Sequence, residues 1–168
     1  MPKWRFEDEC LAPEPYIVIE YKGPNPFKVV KQAEPILRTT LELGAPDYWP
    51  RDFKWDVTSD PRSFFTRIYC DKGIDARSTI RFEVIMKGKQ PADPNKEGTL
   101  TIKIGGRLIT EFPQDTPFQK SALYRGLITM YRILWYDRVR RGYLRMCEEL
   151  INKVANVFRQ LLKIPAEK

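Results

Sequence analysis

The most regular pattern in the chain is an alternation of apolar and polar side chains between residues 53 and 86. Three segments show it, at residues 53–57, 64–70 and 80–86, and turn-forming residues separate them at 59–61 and 71–73. A period of two is that of a β-strand with one buried face. Short polar turns favour pairing between consecutive strands. We therefore predict three antiparallel strands in succession.

Further strands are predicted on both sides of this run. Residues 16–21, YIVIEY, are rich in β-branched and aromatic side chains. After a polar loop at 88–98, residues 100–104 and 108–112 alternate again on either side of Gly105-Gly106. A glycine pair between two such segments is typical of a two-residue hairpin. The total is an antiparallel sheet of about six strands.

Two short helices are predicted after the first of these strands. Asn25-Pro26 offers a helix start, and apolar positions continue at helical spacing to Leu41. Pro35 would remove a backbone hydrogen bond from the middle of a single helix. The expectation is one helix over residues 27–34 and another over 35–43, with Gly44 as the C-terminal cap.

The last third of the chain, residues 118–164, contains no proline and follows a period of 3.6 residues. A single helix of that length would span roughly 70 Å, which exceeds the diameter of a compact domain of this size, about 40 Å. We predict an interruption at Gly142, because glycine is a weak helix former.

The two halves of this helix differ in their apolar girth. Ten of the fourteen residues in 123–136 are apolar or aromatic, so this proximal half should be covered on several sides. Either the sheet curls around it or a second subunit covers the remainder. The distal half carries a second apolar stripe that could form a homodimer contact.

The order of these elements resembles the helix-grip fold of the START-like superfamily, which includes the polyketide cyclases, over residues 16 to about 140. The resemblance implies an α+β domain at 16–141, whose antiparallel sheet packs on the long C-terminal helix. A leader at 1–15, with a short strand around residues 4–6, would precede it, and a helical extension at 142–168 would follow.

START-like proteins bind small hydrophobic molecules in a cavity between the sheet and the helix. The resemblance implies that large inward-facing side chains line such a cavity here: Trp55, Phe82, Val84, Tyr131 and Trp135. The alternative is that the same side chains simply fill the core. The first reading predicts a non-catalytic protein that binds a small hydrophobic ligand.

The charge of the chain adds a second hypothesis. The formal net charge is +7, and residues 117–168 hold eleven basic side chains against four acidic ones. Arg138, Arg140, Arg141 and Arg145 could contact phosphates, with neighbouring aromatic rings to stack on bases. The alternative function is therefore an RNA- or ribonucleoprotein-associated accessory protein. An ion-paired or solvated helix face would explain the same arginines.

Composition narrows the chemistry. The chain has no histidine, which excludes serine–histidine or cysteine–histidine catalysis and histidine-ligated metals. No catalytic residue, metal or cofactor is predicted. Cys10, Cys70 and Cys147 lack the spacing of a metal site and are expected to be buried thiols. The N-terminus does not resemble a signal peptide and no apolar segment is long enough to span a membrane, so a cytoplasmic protein is expected.

Overall fold

Residues 3–165, which the computed structural model describes, form one antiparallel sheet with the helices on one of its faces. Residues 1–2 of the predicted leader and 166–168 of the predicted extension lie outside the described residues. The strands are β1 Lys3–Glu9, β2 Ile17–Pro24, β3 Tyr48–Trp55, β4 Arg62–Gly73, β5 Ser78–Gln90 and β6 Glu97–Pro113. The helices are α1 Phe27–Leu41, α2 Ala122–Tyr131 and α3 Asp137–Leu162, with a short 3-10 turn at Ala45–Asp47.

The predicted antiparallel sheet of six strands is confirmed, and its order is β1-β6-β5-β4-β3. Strand β6 is 17 residues long and carries two partners on one edge. Its first part pairs with β2 and its last part with β1, while β5 pairs along its other edge. The strand predicted around residues 4–6 lies within β1.

The predicted hairpin at Gly105-Gly106 is wrong, because β6 runs straight through both glycines. Neither has a positive φ angle. A Cβ atom on Gly105 would lie 2.5 Å from the Pro15 carbonyl oxygen, and one on Gly106 would lie 3.0 Å from Cys147 Sγ. The glycines are needed because other parts of the chain approach the strand closely on its two faces.

The two short helices predicted after β2 are replaced by the single helix α1, with Pro35 inside it. Pro35 lies on the exposed side, whereas Ala33, Leu37 and Leu41 are fully buried. An internal proline costs about 3 kcal/mol, but burying each leucine contributes roughly 1.5–3 kcal/mol, so packing outweighs the lost bond. The helix ends at Glu42, with φ 55°, and not at Gly44.

The polar loop predicted at 88–98 is shorter than expected. Strands β5 and β6 extend to Gln90 and from Glu97, which leaves residues 91–96 as the connection. The backbone N–H of Ala92 donates to Asp60 Oδ1 at 3.0 Å, so the connection is held against the neighbouring turn. Pairing with neighbouring strands, rather than side-chain polarity, determines where these strands end.

The long C-terminal helix is confirmed, but its interruption is not at Gly142. Helicity continues from α2 to α3 through a π-helical turn at Arg132–Tyr136, and Gly142 lies within α3. A Cβ atom on Gly142 would have no neighbour within 4 Å. The distortion coincides with Tyr136, which turns inward and is 5% exposed while its neighbours remain outside.

The half of the helix that packs on the sheet is the distal one. Cys147, Ile151, Val154 and Phe158 are at most 1% exposed, and α3 contacts β6, β2 and α1. The prediction that the sheet grips the proximal half is therefore wrong. The distal apolar residues form a narrow stripe that fits one flat surface, whereas the proximal half is apolar on too many sides for a sheet to cover.

A disulfide joins Cys10 to Cys147, so the expectation of three free thiols is wrong for two of the cysteines. The two residues are 137 positions apart in the chain, with Cα atoms 5.9 Å apart. Cys70 is a free and buried thiol, as predicted. The pairing arises from the contact of α3 with the start of the β1–β2 connection, which sequence spacing does not reveal.

Substitutions at two glycines should change the free energy of unfolding in opposite directions. Gly105→Ala places a Cβ against the Pro15 carbonyl and should lower the free energy of unfolding by about 1–3 kcal/mol. Gly142→Ala, in the open middle of α3, should raise it by roughly 0.5–1 kcal/mol. Urea denaturation measures both. A destabilising Gly142→Ala would contradict the continuous helix, and a neutral Gly105→Ala would contradict the continuous strand.

Candidate binding surfaces

The five side chains predicted to line a ligand cavity lie in three different environments. Phe82 and Val84 of β5 are 1% and 0% exposed and belong to the core. Trp55, at the end of β3, packs beside Phe27 with ring centroids 4.3 Å apart. Tyr131 and Trp135 lie on the proximal helical segment and are 43% and 66% exposed. The structure does not bring the five around a common space.

A concave pocket of about 510 Å³ lies at the end of the sheet where β3, β4, β5 and β6 meet; we call it the sheet-end pocket. Lys54 on β3 is opposite Phe65 on β4, which is opposite Lys87 on β5. Lys87 is in turn opposite Thr101 on β6. One row across four strands thus places an aromatic ring between two ammonium groups. The other lining residues are Trp55, Asp56, Ser63, Phe64, Gly88, Lys89 and Thr99.

An aromatic cluster lies behind this pocket, on the helix-covered face of the sheet. The Phe64 ring is stacked on Trp55, with centroids 6.0 Å apart, and meets Phe27 edge to face at 5.4 Å. Gly88 makes this possible, because a Cβ atom there would lie 2.7 Å from Phe64 Cζ and 2.2 Å from the Thr99 carbonyl oxygen. Because neighbouring residues of a strand point to opposite faces, these rings belong to the core, and Phe65 is the aromatic residue of the row on the open face.

The charges around the pocket are mostly positive. Lys54, Lys87 and Lys89 surround it, and Asp56 is its acidic lining residue. The Asp56 carboxylate accepts hydrogen bonds from the Thr58 N–H at 2.9 Å and from the Thr58 hydroxyl at 2.6 Å, which lower its pKa. Asp56 is therefore engaged with its own turn. The pocket can attract an anionic group next to an apolar surface.

The rest of this open face of the sheet is ion-paired. Arg81 makes two hydrogen bonds to Asp71, at 2.7 and 2.8 Å, and Arg107 Nε lies 2.8 Å from Glu9 Oε1. These residues line two smaller pockets of about 460 and 290 Å³. Because Arg81 and Arg107 each have a nearby carboxylate, they attract an anion less than the lysines of the sheet-end pocket do.

Glu83 is the centre of a second polar network on the same face. Its carboxylate accepts hydrogen bonds from Tyr16 at 2.7 Å and from Tyr69 at 3.2 Å, and Arg67 Nε lies 3.5 Å away. Burial and the hydrogen bond to Glu83 raise the pKa of Tyr16 to about 12. The network ties the β1–β2 connection to β4 and β5, so its role in the structure is to hold the edge of the sheet.

The four arginines proposed for RNA do not act as one cluster. Arg140 lies 2.7 Å from Asp8 and 3.0 Å from Asp137, and Arg141 is 3.0 Å from the other oxygen of Asp137. Arg138 and Arg145 are exposed. In the part of the chain that the structure describes, neither has a carboxylate within 4 Å. Two of the four are thus available to an external anion.

Lys54, Phe65, Lys87 and Lys89 were missed as site residues by the sequence patterns. The alternation does place them on the polar phase of their strands, where Phe65 is an aromatic residue among polar neighbours. An aromatic residue on the polar phase of a strand is the feature of the sequence that could have indicated this site. The alignment of Lys54, Phe65 and Lys87 in one row depends on strand register, which the alternation alone does not give.

The described residues, 3–165, also bear on metal sites and on membrane-spanning helices. No group of three or more histidine, cysteine or acidic side chains is placed to hold a metal ion there. Among the helices of the same region, none combines the length and apolar character needed to cross a membrane.

Comparison with known proteins does not assign the chain to a family. No family model matches it, and no curated protein matches it either. The function must therefore be argued from the surfaces described above.

The Tyr16 network predicts a loss of stability at alkaline pH. The pKa of Tyr16 is raised from 10.0 to about 12 in the folded protein, so between these values the unfolded state loses its proton first. The free energy of unfolding should fall as pH rises from about 10 to about 12. The free energy of unfolding of Tyr16→Phe, measured by urea denaturation, should fall less steeply across this pH range.

Other groups titrate in the same window, so the comparison with Tyr16→Phe is essential. Burial also raises the pKa of Tyr48 and of Cys70 to about 12. Glu83→Gln keeps a hydrogen-bond acceptor but removes the negative charge. Its free energy of unfolding should fall with pH less steeply than that of the native protein and more steeply than that of Tyr16→Phe. Equal slopes for all three proteins would refute the role of the network.

Proposed function

We propose that this chain is a non-catalytic binding protein that holds a small ligand with an apolar body and an anionic group in the sheet-end pocket. The observation that carries the proposal is the row Lys54, Phe65 and Lys87 on the open face of the sheet. An aromatic ring gives a flat apolar contact, and the flanking ammonium groups attract a negative charge.

The dimensions of the pocket support this reading. Its volume of about 510 Å³ lies within the range of roughly 300–1,000 Å³ typical of small-molecule sites. Its walls come from four paired strands, so little rearrangement is needed on binding. The hydrophobic ligand expected from the sequence is retained, but its site moves from between sheet and helix to the open face, whereas the Trp55 ring packs on Phe27 of α1.

A relationship to the START-like superfamily belongs to the same proposal. The order of a strand, a helix, consecutive antiparallel strands and a closing helix supports it. The single helix α1 and the placement of the proximal helical segment outside the sheet depart from that pattern. The ligand proposal depends on the pocket and not on this relationship.

Binding of single-stranded RNA is the second candidate. It is favoured by the exposure of Arg138 and Arg145, and by the lysines beside Phe65, since bases stack on aromatic rings and phosphates pair with cations. The ion pairs of Arg140 and Arg141 with Asp137 reduce the charge available for it.

The cellular setting also needs revision. A disulfide between Cys10 and Cys147 is typical of oxidising compartments, since cytosolic thiols are kept reduced. The disulfide therefore favours an oxidising compartment over the expected cytoplasm.

Fluorescence titration tests the small-ligand proposal, with 8-anilinonaphthalene-1-sulfonate as an apolar, anionic probe. Phe65→Ala and Lys54→Ala/Lys87→Ala should each weaken binding about tenfold or more, equivalent to about 1.4 kcal/mol. Lys153→Ala, an exposed position on α3, is the control and should bind as the native protein does. Equal binding by all variants would overturn the proposal.

The RNA candidate is tested with a mixed-sequence RNA oligonucleotide over a range of salt concentrations. Binding that weakens steeply with salt, and that is lost in Arg138→Ala/Arg145→Ala, would favour RNA. Binding of the small probe that depends on Phe65 but not on Arg138 favours the first candidate. Native mass spectrometry of protein from its own source identifies any co-purifying ligand.

A further inference from the structure

The proximal part of the C-terminal helix, residues 118–139, leaves a large apolar surface uncovered; we call this segment the exposed arm. Nine of its large apolar side chains are between 43% and 68% exposed. They are Phe118, Leu123, Leu127, Met130, Tyr131, Ile133, Leu134, Trp135 and Val139. Continuous apolar surfaces of this size mark interaction sites.

The centre of the exposed arm has the spacing of a helix–helix contact. Leu123, Leu127, Met130 and Leu134 follow one another at intervals of four, three and four residues, which is the repeat of the apolar seam in a coiled coil. All four are more than half exposed. The π-helical turn at Arg132–Tyr136 also brings Ile133 and Trp135 to the surface and widens the contact face.

Two arginines of the arm lie over aromatic rings of its own domain. The guanidinium carbon of Arg125 lies 5.9 Å from the centre of the Trp4 ring, and that of Arg132 lies 4.3 Å from the Phe6 ring. The residues that flank the stripe include Gly126 and Tyr131, which are uncharged. A surface without charge at its centre or at these flanking positions can pack against an identical surface without repulsion.

The arm is held in a defined orientation. Tyr136 is buried, and its hydroxyl lies within hydrogen-bond distance of the Ser78 and Thr110 hydroxyls. Ile128, on the inner side of α2, is also buried. A stripe fixed to the sheet in this way loses little conformational entropy when it is covered.

We infer that the exposed arm is the interface of a homodimer, in which the stripes of two copies pack around a two-fold axis. Nine large side chains that are each 43–68% exposed can supply much of the roughly 800 Å² per partner that a stable interface buries. A self-complementary contact of this kind is the commonest way in which soluble chains associate. The inference is independent of the ligand proposed above.

A membrane surface fits the arm less well. Helices that lie on anionic membranes carry lysine and arginine along the border of the apolar face. Here Arg125 and Arg132 lie over the Trp4 and Phe6 rings, and the exposed cations Lys120 and Arg138 are near the two ends of the arm. Of the two homodimer contacts considered from the sequence, the one through the distal half is wrong because the distal stripe is buried in the domain, and the second subunit over the proximal half is the alternative that we propose.

Sedimentation equilibrium of the intact protein tests the inference. The native protein should be dimeric at micromolar concentration, and Leu127→Glu/Leu134→Glu should raise the dissociation constant at least about 100-fold. Val57→Glu, which changes an exposed apolar residue outside the arm, should remain dimeric. Circular dichroism should show that both variants are folded, since none of the three residues is buried.

Three results would overturn the inference. The native protein could be monomeric at all concentrations, or it could form a dimer that Leu127→Glu/Leu134→Glu does not weaken. It could also bind as a monomer to vesicles that contain anionic phospholipid, with loss of binding in that variant, which would identify a membrane as the occupant.

Discussion

The packing of the distal half of α3 on β6 is the contact on which the rest of the structure depends. Ile151 and Cys147 lie directly over Gly106, where a side chain would leave no room for them. Cys10, at the start of the β1–β2 connection, is bonded to Cys147, so α3, β6 and the end of β1 are joined at this point. On its other side, α3 packs on α1, whose buried leucines complete the core.

This arrangement determines which surfaces remain free. Because α1 and α3 lie on the same face, the opposite face of the sheet is open, and its side chains are mostly polar or charged. Most charges there are paired, as in Arg81 with Asp71, but the lysines around Phe65 are not balanced in the same way. Because the distal half of the C-terminal helix covers the sheet, the proximal half extends past the sheet and stays exposed. The molecule therefore offers two separate binding surfaces of different chemistry.

Local patterns predicted the elements of the fold well, because strand alternation and helical period report burial directly. They predicted the structure less well where the effect of a residue type depends on its tertiary contacts. A glycine pair permits a turn, but Gly105-Gly106 permits close packing; Pro35 disfavours a helix, but the buried face of α1 outweighs it.

Tertiary partners were the least predictable feature. The apolar girth of residues 123–136 showed that something must cover them, but not which surface would do so. The same limit applied to the site: Trp55 was identified from its size, whereas Lys54 and Lys87 became site residues only through their register with Phe65. Register and helix placement depend on contacts between distant parts of the chain, which a single sequence does not display.

Hydrogen exchange along the C-terminal helix, followed by mass spectrometry on dilute protein, tests the central claim most directly. If the distal half is the part that packs on the sheet, amides of residues 147–158 should exchange only on global unfolding. Amides of residues 122–131 should then exchange earlier, through local opening. The reverse order, with the proximal half protected and the distal half exchanging early, would contradict the account.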